Sequence, residues 1–119
     1  MEVPILLIDG FWVTSIQEAL HDRSVLDFKQ RLLTKLNQPQ TRGLVIDLTA
    51  LDIVDSFVTK ALIELCKLAD LMGAGVVVTG MNPAVAITLV EMGLDLRGIE
   101  TALDLQRGLD KLRKLSEER

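Results

Sequence analysis

Few residues in this 119-residue chain are of types and spacing that could do chemistry, and most of them fall in one segment. Val45-Ile46-Asp47-Leu48-Thr49-Ala50-Leu51-Asp52-Ile53-Val54-Asp55-Ser56-Phe57-Val58-Thr59 has the form of an aliphatic strand ending in an acid, an acid-bearing loop, and a serine where a helix begins. One reading of it is structural. Ser56 caps the helix by accepting a first-turn amide, and Asp52 and Asp55 complement the positive end of the helix dipole. The other is chemical. A serine at a helix start on a sheet edge is an accessible phosphate acceptor, and phosphorylation there adds about −1.5 to −2 charges. Lys60, one helical turn on, would partly screen that charge, while Asp52 and Asp55 would repel it. Both readings stand on sequence alone.

Other reactive types lack companions. His21 is the single histidine, with no second histidine to share a metal or complete a relay, and no G-x-S-x-G turn offers it a serine nucleophile. Cys66, the single cysteine, lies in a helical pattern beside Leu65 and reads as a packed, inert thiol. Gly73 and Gly75 precede a strand, whereas a dinucleotide fingerprint follows one and opens a helix. No catalytic residue, metal ligand or cofactor is assigned, and the chain reads as a non-enzyme.

The elements that must position Ser56 are legible in the hydrophobic pattern. Residues 3–8 form an aliphatic run closed by Asp9-Gly10, a hairpin turn pair, with 11–16 as the partner strand. Residues 24–36 carry Val25, Phe28, Leu32 and Leu36 at helical spacing, widened by Leu26 and Leu33. Leu44-Val45-Ile46 and Val76-Val77-Val78 are continuous apolar runs, as expected for parallel strands covered on both faces. Between them 56–72 reads as a helix, with Val58, Ala61, Leu62, Leu65, Leu68, Ala69 and Met72 on one side and Gly73 ending it. A further helix over 83–92 has Asn82 as its cap and Pro83 in its first turn. A short strand at 98–100 then leads to a terminal helix. Thr101 and Asp104 have capping-box spacing, and Leu105, Leu109 and Leu112 give that helix its inward stripe. The expected fold is α/β: one domain over 1–119, a mixed sheet of about five strands opened by a hairpin, with about four helices.

Composition agrees and excludes. Hydrophobic residues make up 49% and charged residues 25%, the profile of a globular domain. No apolar stretch approaches the ~20 residues of a membrane span. Thirteen Lys+Arg against 17 Asp+Glu leave a net charge of −4, which argues against nucleic-acid binding. The locally basic end (Arg107, Lys111, Arg113, Lys114) is interleaved with acids and reads as a solvated helix face. A cytoplasmic location is expected.

Val45-Ile46-Asp47-Leu48-Thr49 followed by Asp55-Ser56 resembles the hallmark of the STAS domain (sulfate transporter and anti-sigma factor antagonist). Leu71-Met72-Gly73-Ala74, Val78-Thr79-Gly80, Pro83-Ala84-Val85-Ala86, Thr88-Leu89 and Ile99-Glu100-Thr101-Ala102-Leu103-Asp104-Leu105 extend the likeness to the single-domain antagonists of the bacterial stressosome. Free anti-anti-sigma factors usually carry a glycine two positions after the switch serine, where this chain has Phe57-Val58.

The resemblance implies a scaffold that self-associates and co-assembles with RsbR-type STAS co-antagonists, holds an RsbT-type serine/threonine kinase, and lets it go when Ser56 is phosphorylated. An RsbX-type phosphatase would reset it. Asp52, Asp55, Phe57, Thr59 and Lys60 would form the switch loop and kinase contact, and Thr88 matches a second phosphoacceptor of the co-antagonists. A free anti-anti-sigma factor is the alternative within the fold, and a small nucleotide-binding or hydrolytic enzyme the alternative outside it.

Overall fold

The computed structural model describes residues 3–17, 22–52, 55–93 and 99–117. Its elements run β1 (Ile5–Ile8), β2 (Phe11–Ser15), α1 (Asp22–Leu36), β3 (Gly43–Asp47), α2 (Ser56–Leu71), β4 (Val76–Thr79), α3 (Pro83–Glu91), β5 (Glu100–Ala102) and α4 (Leu105–Glu117). The five strands form one sheet in the order β1-β2-β3-β4-β5. Only the β1–β2 pair is antiparallel, and the other three pairs are parallel. The hairpin turns through Asp9 and Gly10, both at positive φ (53° and 85°), the combination that matches the twist of the flanking strands.

Alternation along the strands builds two cores. Trp12, Leu44, Ile46, Val76 and Val78 face one way and meet Phe28, Leu32, Leu65, Val85 and Leu89, so α1, α2 and α3 cover that side. Phe11, Val13, Val45 and Val77 face the other way and meet Leu109 and Leu112 of α4. Burial on both faces is why β3 and β4 are unbroken aliphatic runs. Gly108 lets α4 lie close, since a Cβ there would run into the Thr79 methyl and come within 3.4 Å of Val77 Cγ1.

The expected α/β architecture, with its mixed five-stranded sheet and four helices among the described residues, is the one observed. Several local expectations shift. The first two strands are shorter than expected, and α1 begins at Asp22 rather than 24. β5 lies at Glu100–Ala102 rather than 98–100, with Gly98 outside the described residues. Leu26 is 63% exposed and does not widen the α1 stripe, which is confined to Val25, Phe28, Leu32 and Leu36. Met72 is the exposed C-cap of α2 rather than part of its inward face. Thr101 is a strand residue. Asp104 itself caps α4, accepting the Arg107 amide at 2.8 Å.

Candidate functional site

The site sits at the carboxyl ends of β3 and β4, where parallel sheets present their ligand-facing loops. Asp47 closes β3 opposite Thr79 of β4. One oxygen of its carboxylate, Oδ1, accepts hydroxyl bonds from Thr79 (2.7 Å) and Thr49 (2.9 Å). Thr79 is fully buried, so its hydroxyl needs this partner. Gly80 follows at φ +74°, and a Cβ there would overlap Thr49 Oγ1 and come within 2.9 Å of both Asp47 Oδ1 and the Thr49 amide nitrogen. Glycine is therefore demanded twice, by conformation and by space.

From this knot the chain runs to α2 over two buried anchors, Leu48 and Leu51. The Leu48 amide donates to Thr79 O at 2.8 Å, and the Leu51 amide to Leu48 O at 2.9 Å. Asn82 ties the loop to α3: its side-chain amide donates to Leu51 O at 3.2 Å, while its Oδ1 accepts the Val85 amide at 2.8 Å as the α3 cap. The loop that presents the acids and Ser56 is thus held from two sides.

The helix cap is one residue earlier than the sequence suggests. Asp55, in extended backbone (φ −99°, ψ −179°), is the N-cap of α2, and its Oδ1 accepts the Val58 amide at 2.8 Å. Ser56 is the first helical residue, is exposed, and its hydroxyl makes no hydrogen bond among the described residues. The reading of Ser56 as the cap is corrected: an aspartate in the capping conformation occupies the role, and the serine hydroxyl is left free for other chemistry.

The remaining switch-loop candidates separate by depth. Asp52, Asp55 and Lys60 are exposed, and Phe57 is half-buried against the core. Thr59 is 2% exposed, and its hydroxyl donates to Asp55 O at 2.9 Å. It braces the cap from below and offers no surface to a partner. Thr88 lies on α3, half-buried, donating to Ala84 O at 3.0 Å. His21 lies outside the described residues. Burial pushes the Cys66 thiol up to about 11, which keeps it neutral and unreactive. Among the described residues no His, Cys, Asp and Glu group is arranged to hold a metal ion, and no helix is long and apolar enough to cross a membrane. Three of the four basic positions of α4 pair with acids, Arg107 with Asp104, Lys111 with Glu100, and Arg113 with Asp9 and Asp110.

Sequence reasoning missed Thr49, Thr79, Gly80 and Asn82 as parts of the site. The available signal was Thr79-Gly80-Met81-Asn82 at the end of a buried strand, a turn leading straight into a cap.

Residues 3–107 match the STAS domain, over most of the chain. The chain belongs to the STAS domain family. It is 56% identical to a structure of Moorella thermoacetica RsbS, a serine-to-glutamate variant, covering 98% of this chain and 99% of that one with a TM-score of 0.88. A chain from a structure of the molecular architecture of the stressosome, a signal integration and transduction hub, is 58% identical, with 95% and 98% covered and a TM-score of 0.87. The RsbT co-antagonist protein RsbRA of Bacillus subtilis (strain 168) is 30% identical over 80 residues, 67% of this chain. The chain spans 29% of the length of that STAS relative.

Proposed function

We propose that this STAS domain is a cytoplasmic, non-enzymatic stressosome scaffold and antagonist that holds an RsbT-type serine kinase and releases it when Ser56 is phosphorylated. The observation that carries this reading is the division of labour at the start of α2. Asp55 caps the helix, and the neighbouring Ser56 hydroxyl is exposed and uncommitted. Similarity to RsbS and to a stressosome chain over nearly the whole length supports it, as does the likeness to RsbT co-antagonists, the type of partner with which this domain would co-assemble.

The chemistry belongs to the kinase. It transfers the γ-phosphoryl group of ATP: the Ser56 Oγ–P bond forms, the bond to the ADP leaving oxygen breaks, and the hydroxyl proton passes to a base on the kinase. What this chain supplies is the response. A dianionic group on the first turn of α2 stands beside Asp52 and Asp55, with Lys60 one turn away, so negative charge accumulates on a surface that the kinase must leave. Asp55 orients the acceptor, Phe57 and Lys60 contact the kinase, and an RsbX-type phosphatase hydrolyses the ester to restore the holding form.

Incubation with the cognate kinase and Mg-ATP, followed by intact-mass and peptide mapping, tests this directly. One phosphate on Ser56, abolished in Ser56→Ala, is the expected result. Ser56→Asp should lose the kinase in a pull-down while Ser56→Ala retains it. Equal retention by both variants would refute the switch.

A further inference from the structure

Asn82 uses its side chain twice, in opposite directions. Oδ1 accepts the Val85 amide at 2.8 Å and caps α3, while Nδ2 donates to Leu51 O at 3.2 Å. An N–H on one side and a carbonyl on the other fix which way the amide faces. Only the first bond is needed to start the helix. Serine and aspartate cap as well as asparagine and tolerate the same extended backbone (φ −85°, ψ 164°) ahead of Pro83. What asparagine adds is a donor on a separate atom, able to face a second element. That second element is the segment leading to the switch. Leu51 is buried, its amide closes a turn on Leu48 O at 2.9 Å, and it stands four residues before the Asp55 cap. Beyond it Asp52, Asp55 and Ser56 are exposed. Among the described residues from 50 to 56, the Asn82 bond is the one hydrogen bond that arrives from outside the loop and α2.

We propose that Asn82 is a positioning residue for the phosphorylation of Ser56: by tying Leu51 to the start of α3, it presets the loop in the form that the kinase recognises. The inference rests on the switch reading above. A loop already in its bound shape loses little freedom on docking. A loop released from Asn82 is competent only part of the time, and its apparent affinity falls by that fraction. Once docked, the loop is held by the kinase itself, so phosphoryl transfer runs at the same rate. The signature is a raised KM with kcat unchanged.

Asn82→Ser and Asn82→Ala separate the tie from the cap. Both lose the donor to Leu51 O, and only alanine also loses the acceptor of the Val85 amide. Steady-state kinetics with the cognate kinase and Mg-ATP, run beside urea unfolding of each variant, test the proposal. Both variants should show a KM about three- to tenfold above wild type, the effect of roughly one hydrogen bond, with kcat within about twofold. The unfolding midpoint should fall further for alanine than for serine. Hydrogen exchange at the Leu51 amide should quicken in both. A serine variant with the wild-type KM would overturn the inference. So would a KM that rises in alanine alone, in step with lost stability, since Asn82 would then act only as a cap. A fall in kcat at unchanged KM would overturn it as well. In each of these cases a wild type phosphorylated on Ser56 leaves the switch reading standing, whereas a wild type that takes no phosphate overturns both.

Discussion

Replacing Asp55 and Ser56 separately by alanine tests whether Asp55, and not its neighbour, holds the start of α2. Asp55→Ala removes the acceptor of the Val58 amide, leaving a first-turn donor to water, and deletes a negative charge at the helix start. A lost cap costs about 1 kcal/mol and the dipole interaction about 0.3–1 kcal/mol at an exposed position, so the expected loss is about 1–2 kcal/mol. Ser56→Ala removes an exposed hydroxyl with no hydrogen bond among the described residues, at a first-turn position where alanine is a good helix former. Its effect should stay within about 0.5 kcal/mol of zero. Urea unfolding followed by far-UV circular dichroism separates the two. With a slope of roughly 2 kcal/mol per molar, the middle of the usual range, Asp55→Ala moves the midpoint down by roughly 0.5–1 M while Ser56→Ala barely moves it. Asp55→Asn, which keeps the side-chain acceptor, should recover most of the loss. A Ser56→Ala cost as large as that of Asp55→Ala would refute the cap assignment, and every Ser56 variant would then have to be read as a folding defect.

Gly80→Ala forces a side chain into positive φ and against Thr49 and Asp47, so a loss of about 2 kcal/mol or more is expected in the same unfolding assay. Thr79→Val keeps the shape but strips one of the two donors to Asp47 Oδ1, which should cost about 1.5–3 kcal/mol and lower the melting temperature by several degrees. Because burial raises the Cys66 thiol to about 11 from an ordinary 9.0, the unfolded chain ionises first as pH rises. Stability should therefore be unaffected by this group below about pH 9, fall by up to about 3 kcal/mol towards pH 11, and do so less in Cys66→Ala. A thiol reagent at pH 8 should label Cys66 only after denaturant is added.

What the sequence made legible follows from which interactions are local. The stripes of α2 and α4 and the aliphatic runs of β3 and β4 are periodic signals, and they gave the architecture. The caps were ambiguous because Asp55 and Ser56, like Thr101 and Asp104, are all good cap formers. Backbone conformation decides between neighbours, and in both cases the aspartate won. Leu26 was counted inward because an apolar residue adjacent to a stripe looks the same whether or not the sheet reaches it. The tie of Asp47 to Thr79 spans 32 residues, and that of Asn82 to Leu51 spans 31; neither has a periodic trace. The motif singled out Ser56 as a candidate, and only the three-dimensional structure shows that Asp55 takes the cap and leaves the Ser56 hydroxyl uncommitted.

Trp12, the single tryptophan, is 5% exposed, with its indole N–H bonded to Thr41 at 2.9 Å and the Lys35 ammonium 5.0 Å from its ring. It pairs with Leu44 near the amino end of the parallel strands, three residues before the Ser15–Asp47 pair at the other end, about 10 Å away at ~3.3 Å per residue. Its emission therefore follows whether the α1–β2 layer is intact and is insulated from events at the start of α2. The protein carries its own optical gauge of folding, and a binding titration that leaves that signal flat while mass or mobility changes would report partner exchange on an undisturbed scaffold.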